Sequence, residues 1–205
     1  MKFQALIFGG IAALLCSIYN NATAQKIYPT EQQIVAAVSA APESLRAGAT
    51  VIGYNADTTL SVLREGSDSN KLICLADDPG KSNFHVSCYH KDLEPFMKRG
   101  RELRAEGMST QEVDLFRRNE IKTGELPMPE KPMALYSLTG GEEAFNYEEG
   151  TVNEASPLYV VYIPYATKAS TGLAGKPISP GAPWLMEPGT PWAHIMVMTE
   201  RKIEQ

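Results

Sequence analysis

An α+β fold, mainly an antiparallel meander with an N-terminal helix and two central helices, is what this 205-residue sequence predicts. Three observations carry the prediction. Short segments rich in Val, Ile, Leu, Tyr and Phe recur between polar turns from Thr50 to Tyr89 and again from Met133 to Thr199, as strands joined by tight connections do. Two runs with apolar residues at helical spacing, opened by capping signals, lie between those regions. A third helical run stands ahead of the first strand.

The chain opens on an export leader. Lys2 gives a positive start, Leu6 to Ile18 is apolar and uncharged, and Ala22-Thr23-Ala24 supplies the small residues a signal peptidase reads. Residues 1–24 are expected to be removed, leaving 25–205 as a single globular domain of 181 residues. Cys16 raises a lipoprotein reading, but Leu15 ahead of it departs from that pattern. Thr30 is placed as the cap of the first helix, with Gln33 reaching back in a capping box and Ile34, Val35 and Val38 as the apolar stripe; Pro42 ends it.

Four strands follow: Thr50 to Tyr54, Leu60 to Arg64, Lys71 to Ala76 and Phe84 to Tyr89. The turns between them are Asn55 to Thr59, Gly66 to Asn70, and Asp77-Asp78-Pro79-Gly80, where Gly suits the positive φ of a type II turn. Short connections imply antiparallel neighbours. With Cys16 gone, Cys74 and Cys88 remain, and a pair in an oxidising compartment reads as one bridge, here tying strand three to strand four. It closes a loop of about 15 residues, for roughly 3 kcal/mol in the chain-entropy picture. Their spacing matches neither a C-x-x-C redox pair nor a zinc knuckle.

Asp92 is placed as the cap of a helix to about Glu106, with Leu93, Phe96, Met97 and Leu103 on one side and Gly107 as its stop. Ser109 and Glu112 form a capping box for the next helix, which carries Val113, Phe116 and Ile121 and ends at Gly124. The prolines of Leu126 to Pro132 make that stretch an extended connector. Met133 to Leu138, Leu158 to Tyr165 and Ala193 to Thr199 are the last strands. Between the final two lies a Gly/Pro-rich loop over about 166–192, which Trp184 and Trp192 mark as ordered.

Composition excludes some functions. Lys2 is the leader's one charge, so the mature chain carries 18 basic and 24 acidic residues, a net charge of −6. That argues against sequence-independent nucleic-acid binding, which needs a basic face. No mature segment approaches the roughly 18 apolar residues of a membrane span. There is no G-x-S-x-G elbow, no dinucleotide fingerprint and no cofactor motif.

The remaining candidates are constellations. His90, Asp92 and His194 are possible metal ligands with Glu94 as a base, while His85 falls on the other face of its strand from His90. Helix capping by His90 and Asp92 is the plainer reading. Asp77, Asp78 and Asn83 make an oxygen-rich turn that could hold calcium, though turns favour these residues anyway and the spacing is not that of an EF-hand. Lys91, Lys98, Arg99, Arg101, Arg104, Arg117, Arg118 and Lys122 bias the central helices toward an anionic surface such as lipid A phosphate or an acidic glycan. Glu94, Glu102 and Glu106 interleave with them, as on a solvated helix face. Tyr159, Tyr162, Tyr165, Trp184 and Trp192 gather in or beside the long loop, where they either recognise a ligand or pin the loop to the core.

Several stretches together resemble a family of small, exported, functionally uncharacterised bacterial proteins. They are Ala41-Pro42 to Ala49-Thr50-Val51, Leu63-Arg64-Glu65-Gly66-Ser67, Cys74 with Asp77-Asp78-Pro79-Gly80, Pro164-Tyr165-Ala166-Thr167-Lys168, and Gly189-Thr190-Pro191-Trp192-Ala193-His194-Ile195-Met196. Their order spans about two thirds of the chain, and the stretch from about Asp92 to Pro132 departs from the pattern. The resemblance implies an exported domain and brings no activity. The sequence therefore leads to a periplasmic or extracellular, non-enzymatic module that binds a small molecule or envelope component through Tyr165, Trp184, Trp192 and His194. The alternative is a metal-dependent hydrolase built on His90, Asp92 and His194.

Overall fold

The computed structural model describes residues 26–198, so the leader expected over 1–24, Cys16 with it, lies outside the described residues. The fold is α+β. Helix α1 spans Thr30–Val38 and α2 Glu43–Arg46; strands β1 to β4 span Thr50–Tyr54, Leu60–Arg64, Leu72–Leu75 and Phe84–His90. Helices α3, Glu94–Ala105, and α4, Thr110–Thr123, precede β5, Met133–Gly140. A small hairpin follows, β6 at Phe145–Asn146 and β7 at Thr151–Val152, then β8 at Ser156–Tyr162, α5 at Lys168–Thr171, β9 at Trp184–Met186 and β10 at His194–Met198.

Eight strands form one sheet in the order β2-β1-β3-β4-β5-β8-β10-β9. The pairing is antiparallel except between β1 and β3, which run parallel with Val51 opposite Cys74. Strand succession alone suggested a pure meander. Instead β2 folds out to the edge, and the 65–71 loop crosses the start of β1, held by Gly66 N donating to Thr50 Oγ1 and Ser67 N to Gly48 O. That crossing delivers β3 to the other side of β1.

The alternation of side chains sets two faces. Val51, Cys74, Val86 and Cys88, each fully buried, face α1, whose Ile34, Ala37 and Val38 close the core. Tyr89 and Met133 face the other way, against Leu93 and the Met97 side of α3. Cys74 and Cys88 sit opposite each other in the β3–β4 register and are joined by a disulfide, as expected of the remaining pair.

Three local readings change. Thr30 is the first helical residue of α1 and Pro29 holds the cap position, so no side chain caps the helix. Gln33 reaches instead to β1, donating to Tyr28 O and Tyr54 O and accepting from Tyr54 N. A Cβ on Gly53 would stand 2.7 Å from the Gln33 Oε1, so glycine there lets helix and strand approach. Pro42 does not end α1 but precedes α2, because the helix already stops at Val38 with Ser39 Oγ donating to Ala36 O. Asp92 does not cap α3: it lies in a 3-10 turn, Lys91–Leu93, whose cap is His90, with Nδ1 accepting from Asp92 N at 3.2 Å.

The Ser109–Glu112 capping box is present, and α4 closes on Gly124 at φ 80°. On α4 the inward place expected for Phe116 belongs to Arg117, which is buried while Phe116 is 45% exposed. Its guanidinium lies 4.0 Å from the Phe96 ring, so a long cationic side chain serves as packing surface. The 166–192 region is not structureless. Thr167 and Ser170 cap α5 reciprocally, and β9 hydrogen-bonds to β10 at the sheet edge.

Candidate functional site

A cleft of about 480 Å³ lies at the α1 end of the sheet. Its walls are the arm Lys26 to Tyr28, Gln33 on α1, Tyr54 at the end of β1, the turn from Asp77 to Phe84 between β3 and β4, Glu142, and Tyr147 on the β6–β7 turn. Each wall has a local cause. The Asp-Asp-Pro-Gly turn places two carboxylates side by side where β3 meets β4, with Asp78 Oδ1 accepting from Gly80 N at 2.9 Å. Gln33 fixes both Tyr28 and Tyr54 through their backbones. Phe145 is anchored on Phe84, ring centroids 5.4 Å apart, which delivers Tyr147 two residues later.

Asp77 is the chemical centre. Its Oδ1 accepts from His85 N at 2.8 Å and its Oδ2 from the Tyr147 hydroxyl at 3.1 Å. Burial nevertheless outweighs both bonds and pushes the carboxyl above the usual range, with Asp78 adding to the shift. Burial, then Asp78 and Asp77, push the Tyr54 hydroxyl up to about 12. Tyr147 is pushed up by burial and by Asp77. Tyr28 lies flat on Tyr147, centroids 3.4 Å apart at 7°, and the Lys26 ammonium stands 4.5 Å over the Tyr28 ring. The oxygen-rich turn picked out in the sequence, Asp77, Asp78 and Asn83, thus lines this cleft.

The other sequence candidates are dispersed. β4 and β10 are separated by β5 and β8, which puts His90 and His194 about 14 Å apart at the usual strand spacing. They also fall on adjacent register rows and so on opposite faces: His194 shares a row with Tyr162 and Met133, while Tyr89, next to His90, pairs with Leu135. His90 Nδ1 lies 3.7 Å from Asp92, and His194 Nδ1 lies 2.7 Å from Trp192 O. Glu94 is engaged by Arg101 at 2.6 Å and by the Tyr89 hydroxyl at 2.5 Å. His85 pairs across strands with the Thr139 hydroxyl at 2.8 Å. Among the described residues no group of three or more His, Cys, Asp or Glu side chains gathers to hold a metal ion.

Trp184 and Trp192 are buried, at 8% and 7% exposure, which makes them packing residues in this conformation. Tyr165 is the most exposed of the tyrosines in that group, at 66%, on a backbone with φ 62°. Tyr162 turns away from Tyr159 as the spacing required, packing against Phe96 and His194, while Tyr159 meets Tyr136. Arg118 on α4 reaches this loop, stacking 4.4 Å from the Trp192 ring and pairing with Glu187 at 2.9 Å. That pairing holds the Glu187 carboxyl below its usual range. The arginines counted as a basic surface are largely paired: Arg99 with Glu120, Arg101 with Glu94, Arg117 with Asp114.

Among the described residues no helix is long and apolar enough to cross a membrane. No family model, curated protein or solved structure matches the chain. The cleft residues missed in the sequence are Tyr28, Gln33, Tyr54 and Tyr147. None belongs to a spaced motif. The one available signal was the Asp-Asp-Pro-Gly turn followed by Asn83-Phe84, which puts carboxylates next to a buried ring.

Proposed function

We propose that this chain is an exported, non-enzymatic binding module that takes a small molecule, or an exposed part of an envelope component, into the Asp77 cleft. The observation that carries the reading is the convergence there of a half-buried carboxylate and the hydroxyls of Tyr54 and Tyr147 on an aromatic-walled cavity of about 480 Å³. Ligand sites combine that volume with a few convergent polar groups. Export is supported by the leader pattern, by the resemblance to exported bacterial proteins and by the Cys74–Cys88 bridge, since such bonds persist in oxidising compartments. The separation of His90 from His194 favours a binding protein over the hydrolase.

Isotope-labelled protein spanning residues 25–205, screened by NMR against small fragments of mixed charge, tests this. Binders are expected to move the amides of Tyr54, Asp77 and Tyr147 and to leave the Trp184 and Trp192 indoles in place. Shifts confined to residues 166–192 would move recognition back to the loop. A stoichiometric transition metal in natively purified protein, lost on His194→Ala, would replace the binding reading with the hydrolase.

A further inference from the structure

Resting on that reading and narrowing it, we propose that the cleft selects an organic cation: a primary ammonium or guanidinium on a carbon skeleton that reaches the tyrosine rings. The contrast with the rest of the molecule carries this. Elsewhere the partly buried carboxylates Glu94, Glu120 and Glu187 each meet a guanidinium, at 2.6, 2.7 and 2.9 Å. Among the described residues Asp77 is met by neutral donors, His85 N and the Tyr147 hydroxyl, and neither it nor Asp78 forms an ion pair. This is not for want of cations, because Lys26 and Lys81 line the same cleft and pair with neither.

A half-buried carboxylate without a counter-charge is costly, and a bound cation offsets that cost with charge-assisted hydrogen bonds. The aromatic wall suits the same ligand. Cations are attracted to tyrosine faces, and Lys26 already occupies one such position over Tyr28. The carboxyl of Asp77 and the hydroxyls of Tyr54 and Tyr147 are all pushed up, by burial first and then by nearby carboxylates, and an added positive charge would act against that shift. A bare metal ion fits less well. Calcium takes six to eight oxygens in a tight shell. The described residues gather no group of three ligating side chains, and the cavity is far larger than an ion.

The test is an NMR titration with benzylamine, benzyl alcohol, benzoate and calcium chloride, each followed at Tyr54, Asp77 and Tyr147. Benzylamine is expected to bind at least about tenfold more tightly than benzyl alcohol, the difference one charge-assisted hydrogen bond confers. The preference should shrink in high salt and as acid protonates Asp77, and should vanish in Asp77→Asn. Asp78→Asn, whose carboxylate accepts from Gly80 N within its own turn, repeats the comparison in case the first variant folds poorly. Benzyl alcohol or benzoate binding the cleft as tightly as benzylamine would overturn the cation inference and leave the binding reading standing. Tight calcium binding that excludes benzylamine would also overturn it. Absence of any binder in the cleft, whatever its charge, would sink both.

Discussion

At the β8–β10 end of the sheet, charge and aromatic surface are used up internally. Arg118 is held between Glu187 and the face of Trp192, Arg117 lies on Phe96, and both tryptophans are buried. At the β1–β4 end the same kinds of residue are left open. Asp77 and Asp78 have no cationic partner among the described residues, and Tyr28, Tyr54 and Tyr147 line a cavity. The difference teaches that richness in tryptophan and arginine does not by itself leave an open cavity. The cleft proposed for ligand binding differs in that its half-buried carboxylate meets no cation among the described residues, a charge that a bound ligand can neutralise.

The largest expected effect tests the first half of that contrast. Trp192→Ala removes a buried indole and should destabilise by about 3–5 kcal/mol, a loss in melting temperature of at least about 6 °C for a domain of this size. Calorimetry measures it. Folded Trp192→Ala protein should still bind cleft ligands; parallel loss of binding in protein that remains folded would erase the distinction between the two ends. The next effect is smaller and lies at the other end. Replacing Cys74 and Cys88 together by Ala should cost about 3 kcal/mol, and thiol titration of the unreduced parent should find no free thiol. Two reactive thiols would remove the support for an oxidising compartment.

The smallest effect sharpens the contrast most. The folded Asp77 carboxyl is raised above its unfolded value, so its contribution to stability is fully present below the unfolded pKa and is lost as pH rises through the folded one. Asp77→Asn keeps one oxygen to accept from His85 N, sets an amide NH2 opposite the Tyr147 hydroxyl, which can rotate to accept from it, and removes the buried charge. It should therefore leave the melting temperature at pH 7 unchanged or higher, by no more than about 3 °C, with the gain disappearing in acid. A clear fall at pH 7 would mean that Asp77 is a structural residue like Glu94.

Much of the architecture was legible because its signals are local. The alternation through β1, β2 and β4 and the Ser109–Glu112 box each depend on a few neighbouring residues, and each lies where the pattern put it. The parallel β1–β3 pair was not legible, since the 65–71 loop has the same length and composition whether it turns back or crosses over. The hairpin around Phe145 and the edge strand at Trp184 are two or three residues long, too short for any period to show. Gln33 was misassigned for a related reason: its spacing from Thr30 fits a capping box, and only the approach of Tyr54, 21 residues away, draws its amide elsewhere. The site was harder still, because the cleft is assembled from six separate stretches and the carboxylates at its centre look in sequence like an ordinary turn.

Tyr28 has a practical bearing on how the protein is prepared. The Lys26 to Tyr28 arm forms one rim of the cavity, so a tag joined directly to Lys26 would start from that rim. A histidine tag fused there would bring imidazoles within reach of Asp77 and could occupy the cleft in place of an added compound. Affinity handles for screening therefore belong at the other terminus, and any apparent failure to bind with an N-terminal tag should be repeated after the tag is cut away.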